Sequence, residues 1–342
     1  MPDTALFLTE RVPRPLTLPR QAGLEPKALF VGQGQNALEV AVVAAAAKPT
    51  TSALQVAWKA RRAGRASPVL LVALNGAEAA LCGPAGEDPP VRFGLSAGQA
   101  ERLCRAALDQ PDRHAALAFL AQALPSLETA VPGLCNEGLF ALHALMVDAQ
   151  RRPEWHAAIG KARNVAARKE RDLLTGLGYR VERLDNLTYL LRGGERRTAL
   201  AVLLDPAGIP EAGTARFNNL SPVSYALAKA DAEGLPWVVV LHGDRLRLYP
   251  TAVGVGRRGR TETYVEVQTS LLADEHLAYL WLLFSAEALD PKGVVADLLD
   301  ASSRFAGELG VRLRERIYNE PTAACCRSTS GSSRRCAPTR RI

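Results

Sequence analysis

Three carboxylates stand where metal-dependent phosphodiester chemistry could be built: Asp185, Asp205 and Glu266. Such chemistry needs an acid at one strand and an acid-x-Lys triplet on the next. The carboxylates hold Mg²⁺, the ion polarises the phosphate, and the lysine orients the attacking water. Asp185 fits the first acid. The apolar stretch after it, Ala199 to Asp205, offers no acid-x-Lys triplet and only Asp205 at its end. Glu266-Val267-Gln268 is an acid-x-polar triplet on a later strand, where a plain strand-surface glutamate is the competing reading. Mg²⁺ is therefore the cofactor only if these residues make a nuclease site.

Other constellations are weaker. Val31-Gly32-Gln33-Gly34-Gln35 faintly matches a glycine loop for S-adenosylmethionine or a dinucleotide. The acid that such a site requires at the end of a second strand is not evident, so the loop reads as a turn before an apolar helix. No GKS/GKT phosphate loop, Asn/Asp-Pro-Pro-aromatic loop or Gly-x-Ser-x-Gly elbow occurs. His114, His143, His156, His242 and His276 are isolated from one another. No metal set and no complete catalytic site can be assembled.

Two basic stretches suit phosphate contact. Arg257, Arg258 and Arg260 lie among Gly254, Gly256 and Gly259, and Lys161, Arg163 and Arg168 lie on a helix starting near Trp155. Each could follow a double-stranded DNA backbone; the competing readings are a solvated loop for the first and a plain solvated helix face for the second.

The elements that must position these residues follow from periodicity and punctuation. A capping box at Ser52 and Gln55 starts a helix over 53–63, stopped by Gly64. Pro68 to Leu74 is a strand, Asn75-Gly76 a turn, and Glu78 to Cys82 the returning strand. Ser96 and Gln99 cap another helix, Asp112 to Leu124 makes a third, and Asn136 to Gln150 a fourth that ends at Arg151-Arg152-Pro153. A basic helix from Trp155 to about Leu177 follows. Strands are expected at 179–184, 188–192 and 198–204, then a helix over 221–234 with Pro222 in its first turn. A hairpin over 237–249, a strand at 264–267, a helix at 277–284 and a long helix over 294–318 complete the list. Leu298, Phe305, Leu309, Leu313 and Ile317 would form the inner stripe of that last helix. Ala57 to Pro84 and Tyr225 to Pro250 share one plan of helix, loop, apolar strand, glycine turn and return strand. Either a unit was duplicated or this is a common αββ solution.

The expected class is α/β, of mixed α+β character. The expected divisions are an extended Pro-rich N-terminus (1–26), an N-terminal α/β segment (27–152), a second αβ domain (153–290), a helix leading onward (291–320) and a disordered basic tail (321–342). At 342 residues the chain can bury two cores. The net charge is +7, but residues 321–342 hold five arginines and no acid, so the body is close to neutral and global charge argues little for DNA. That tail also carries three of the six cysteines, without zinc spacing. Its abrupt change of composition predicts a frameshift or truncation near Glu320, set against a natural basic tail. The N-terminus lacks the apolar core of a signal peptide and no run is long enough to span a bilayer, so a cytoplasmic protein without membrane contact is expected.

Taken together, several stretches resemble a known family. Asn136-Glu-Gly-Leu-Phe-Ala-Leu-His143 with Arg152-Pro-Glu-Trp155 resembles the N-terminal region of type IIG restriction-modification proteins, which join a nuclease-like segment to an adenine-specific DNA methyltransferase. Ser221 to Tyr225, followed by Trp237 to Tyr249, is similar to the nuclease-like part of such proteins, with Tyr225 in place of a helix tyrosine. The resemblance implies a restriction-endonuclease-like core of the PD-(D/E)xK type in the second segment. It also implies phage defence, DNA as partner, other restriction-modification or defence subunits as further partners, and S-adenosylmethionine bound only by a methyltransferase part missing here. The departure is Ala201-Val202-Leu203 in place of the acid-x-Lys strand. The expectation is a non-catalytic, DNA-engaging front module. The alternatives are an active Mg²⁺-dependent endonuclease and a protein-interaction scaffold that never touches DNA.

Overall fold

The computed structural model describes residues 7–19, 23–206, 208–256 and 258–319, with side chains through residue 307. The expected tail and the lower part of the last helix's inner stripe (Leu309, Leu313, Ile317) fall outside the residues and side chains described. The fold is mixed α/β, as expected, and is built on two mixed sheets.

The first sheet has the order β1 (Leu24–Val31), β2 (Glu39–Ala45), β3 (Val69–Asn75), β4 (Glu78–Cys82) and β5 (Val91–Ser96). α1 (Thr51–Arg62) carries the chain from β2 to its parallel neighbour β3. Its cap is Thr50, whose hydroxyl accepts from the Ala53 amide, and not the expected Ser52. β2 corrects the expected apolar helix around 37–47. Its side chains are buried on both faces, Val40 and Val42 toward one side and Ala41 and Val43 toward the other. A short run that is apolar at every position carries no period to separate strand from helix; β-branched valines in a two-sided core favour the strand. α2 (Ala97–Leu108), capped by Ser96 on Gln99, and α3 (Arg113–Ser126), capped by Asp112, cover the face opposite α1. The N-terminal stretch is not a loose extension: Phe7 and Leu8 are buried in this core, and Arg14 and Leu29 exchange both backbone hydrogen bonds.

The second sheet runs β6 (Leu134–Glu137), β12 (Tyr264–Gln268), β11 (Arg245–Pro250), β10 (Trp237–His242), β9 (Arg196–Leu204), β8 (Thr188–Gly193), β7 (Arg180–Arg183). β6 overturns the first half of the helix expected over 136–150: Asn136 pairs with Val265, and the helical turn is confined to 142–148, with Ala144–Asp148 as a π-helix. β6, although it precedes residue 152, is an edge strand of the second sheet. The basic helix splits into α4 (Trp155–Arg163) and α5 (Glu170–Gly176), and Val165 and Ala166 between them turn into the core. α6 (Pro222–Ala232) joins the parallel pair β9 and β10, with Ser221 as its cap. α7 (Ala278–Phe284) and α8 (Val294–Asn319) follow β12.

The shared plan seen in the sequence extends much further in space. The series β1-β2-α1-β3-β4-β5-α2-α3 and β8-β9-α6-β10-β11-β12-α7-α8 have the same pairings, one parallel pair among antiparallel ones, and the same faces covered. Each crossover helix is tied by its last turn to the start of the strand before it. In the first unit Arg61 donates twice to the buried Glu39; in the second, Arg197 donates to Glu233. The tie is the same and its charges are exchanged.

The units are locked through α2. The nearly buried Arg102 guanidinium donates to the carbonyls of Thr269 (3.2 Å) and Leu272 (2.6 Å) and to Asp274 (3.0 Å), and Gln99 donates to the Leu271 carbonyl at 2.5 Å. Leu271 itself is buried in the core of the first sheet. Removing a buried charged donor leaves its acceptors without water or partner. Arg102→Ala is expected to cost about 3 kcal/mol in urea unfolding, whereas Arg180→Ala, at an exposed pair, should cost less than about 1 kcal/mol.

Candidate nucleic-acid interface

The three carboxylates are not brought together. Asp185 sits in the turn between β7 and β8, where one oxygen accepts from the amides of Leu187 and Thr188, both at 2.8 Å, and the other lies 3.4 Å from the Lys229 ammonium of α6. Burial acts to raise its proton affinity, but the amides and the ammonium outweigh it and hold the carboxyl below its ordinary value. Asp205 projects beyond β9 and is 87% exposed, with Arg216 at 3.8 Å. Glu266 is buried on β12 and ion-paired with Arg247. The register places Glu266, Arg247, Val240, Val202 and Thr188 in one row across five strands. Four strand spacings, roughly 19 Å, therefore separate Glu266 from the strand that Asp185 leads into. Among the described residues no group of three His, Cys, Asp or Glu converges on a point. Tyr225 packs its ring edge-on against Phe217 in the α6 core, a structural contact.

The expected arginine loop is partly spoken for. Arg258 is paired with Glu137 (2.6 Å) and Arg260 with Asp231 (2.5 Å), while Arg257 lies outside the described residues. Lys161 pairs with Glu287 and stands 4.9 Å over the Trp281 ring. The remaining two helix positions behave differently. Arg163 and Arg168 are exposed and have no acidic partner among the described residues. Burial is the main force lowering the proton affinity of Arg102, and the nearby positive charge of Arg163 adds to it.

The stretch that carries Arg163 and Arg168 leads into Lys169, which lines a cleft at the seam of the two units. Its volume is about 320 Å³, and it is lined by Leu8, Glu10, Arg11, Arg105, Asp109 and Lys169. Lys169 follows Arg168 directly and is drawn in by Asp109, which Arg11 also pairs with. Arg105 reaches Glu101 through one nitrogen, while its other terminal nitrogen is buried and has no hydrogen-bond partner. Arg11, Arg105 and Lys169, from three distant stretches of chain, thus meet in one cleft, where Asp109, Glu10 and Glu101 pair with them. Sequence reading found Arg163 and Arg168 but missed Arg11 and Arg105, because nothing in their local pattern shows that folding brings residues 11, 105 and 169 together. Cations spread along a seam suit backbone phosphates, which need charge and reach but no base-specific geometry.

Compared with family models, curated proteins and solved structures, the chain matches none. Among the described residues no helix is long and apolar enough to cross a membrane.

The placement of Asp185 has a consequence for pH. Its folded proton affinity is lowered, so its contribution is present above the unfolded value of 3.8 and is lost as pH falls through the folded value. Asp185→Asn is expected to lose about 1 kcal/mol at pH 7. In urea melts, that deficit should close as the pH is brought down toward 3.

Proposed function

We propose that this chain is a DNA-engaging, nuclease-like front module of a restriction-modification protein, without a catalytic site of its own. The observation that carries the reading is the pair of exposed cations Arg163 and Arg168, which have no acidic partner among the described residues and stand on the stretch of chain that leads into Lys169 and its cleft. Duplex binding through such cations is driven by release of counterions from the phosphates. The nuclease-like part of the proposal draws on element order. α5, β7, β8, β9, α6 and β10 follow one another as helix, three antiparallel strands, helix and parallel strand. That is the layout of a restriction-endonuclease core. At the position where an acid-x-Lys triplet would act, Ala201 and Val202 are fully buried in β9, one on each face of the sheet. An ionised side chain there would meet apolar packing instead of solvent and metal. Methyl transfer from S-adenosylmethionine would belong to a separate part of such a protein. An endonuclease that joins Asp185, Asp205 and Glu266 around Mg²⁺ gains no support from their separation.

Duplex affinity measured by anisotropy should fall steeply between low and moderate salt, without strong dependence on sequence. Arg163→Ala/Arg168→Ala should flatten the slope of log K against log salt by roughly 2. An affinity indifferent to salt would point to a protein-interaction scaffold instead. Incubated with plasmid and Mg²⁺, the chain should leave the DNA intact; cleavage abolished by Asp185→Ala or Asp205→Ala would overturn the non-catalytic reading.

A further inference from the structure

A second, larger cleft opens at one end of the first sheet, and it shares no lining residue with the basic seam. Three elements meet there for topological reasons. α1 runs back along the sheet and so ends beside the start of β3. β4 ends opposite that start, with Cys82 paired to Leu71, so the loop over 83–88 turns at the same place. α2 descends to this end and α3 begins there. The cleft between them encloses about 750 Å³, within the size range of small-molecule sites.

Its apolar lining comes from Trp58, Pro68, Pro84 and Leu117, of which Trp58 and Pro68 are buried and Pro84 and Leu117 half-buried. Trp58 is fixed from behind, its indole nitrogen donating to the Val69 carbonyl at 2.7 Å. Its rim is cationic. Lys59 is matched by Asp88 at 2.9 Å. Arg62 and Arg113 are not matched: the Arg62 guanidinium donates to the Arg65 carbonyl, and Arg113 donates to the His114 ring nitrogen at 3.2 Å. Neither guanidinium meets a carboxylate among the described residues, although Glu87 also lines the cleft. Arg113 and His114 open α3 directly after its capping carboxylate, Asp112, which accepts from the His114 and Ala115 amides.

We propose that this cleft binds a nucleotide phosphate, either free or at the 5′ end of a nucleic-acid strand. Arg62 and Arg113 supply donors to the phosphate oxygens, and the half-buried Pro84 and Leu117 take the apolar face of the base. The proposal does not rest on the duplex-binding seam, since different residues form the two places.

Calorimetric titration of the full chain with dAMP, deoxyadenosine, inorganic phosphate and a single strand bearing either a 5′-phosphate or a 5′-hydroxyl tests it. Two variants separate charge from space: Arg62→Gln/Arg113→Gln removes the donors, and Ala85→Trp fills the cleft from its exposed loop. The expected result is saturable dAMP binding that weakens at least about tenfold in both variants, with deoxyadenosine and inorganic phosphate both much weaker. Should only the strands bind, a preference of about tenfold or more for the 5′-phosphate, lost in both variants, assigns the site to strand ends. Binding that survives both variants, that ignores the phosphate, or that fails to saturate with dAMP or the phosphorylated strand below about 1 mM overturns the proposal.

Discussion

One buried guanidinium governs how the two sheets meet. Arg102 has left water almost completely, and its hydrogen bonds are spent on the carbonyls of Thr269 and Leu272 and on Asp274. A charge in that position is tolerable only while every partner is in place. The segment over 269–274 therefore has to hold one conformation, and Leu271 within it completes the first core. The relative position of the units follows, and with it the approach of Lys169 to Asp109 in the cleft that Arg11 and Arg105 also line. A surface assembled from side chains 60 residues or more apart keeps its geometry only if such a lock does.

How much of this was legible in the sequence depended on whether the deciding contact was local. Ser96 on Gln99, Asp112 before α3, and Pro222 in the first turn of α6 were readable because caps act over three residues. The hairpins were readable because Gly76, Gly194 and Gly243 take positive φ where a two-residue turn needs it. β2 was misread because its neighbours, not its own period, make it a strand. β6 was misread because its partner, β12, lies about 130 residues away. The split between α4 and α5 carries no proline or glycine at the break; it follows from Val165 and Ala166 turning inward.

The candidate site was legible to the same degree. Arg163 and Arg168 were visible as a basic helix face, but not the acids that neutralise Arg258 and Arg260, since Glu137 and Asp231 come from other elements. Asp185 had the right residue type for a metal ligand, yet a carboxylate before a strand is equally suited to closing a turn, and the amides of Leu187 and Thr188 claim it. Residue type narrows what a position can do; only the neighbours decide among the remaining uses.

The exchanged charges at the two crossover ties bear on how such a chain reaches one structure. Two units with the same topology on one chain offer each crossover helix a near-equivalent place on the wrong sheet, a route to swapped and misassembled forms. The ties make that exchange unfavourable. α1 docked on β9 would bring Arg61 against Arg197, and α6 docked on β2 would bring Glu233 against Glu39. Each wrong seat faces like charges, and at the Glu39 seat it does so where water is largely excluded. In the correct seats opposite charges meet, so a single reversal of sign gives each helix an address within its own half of the molecule.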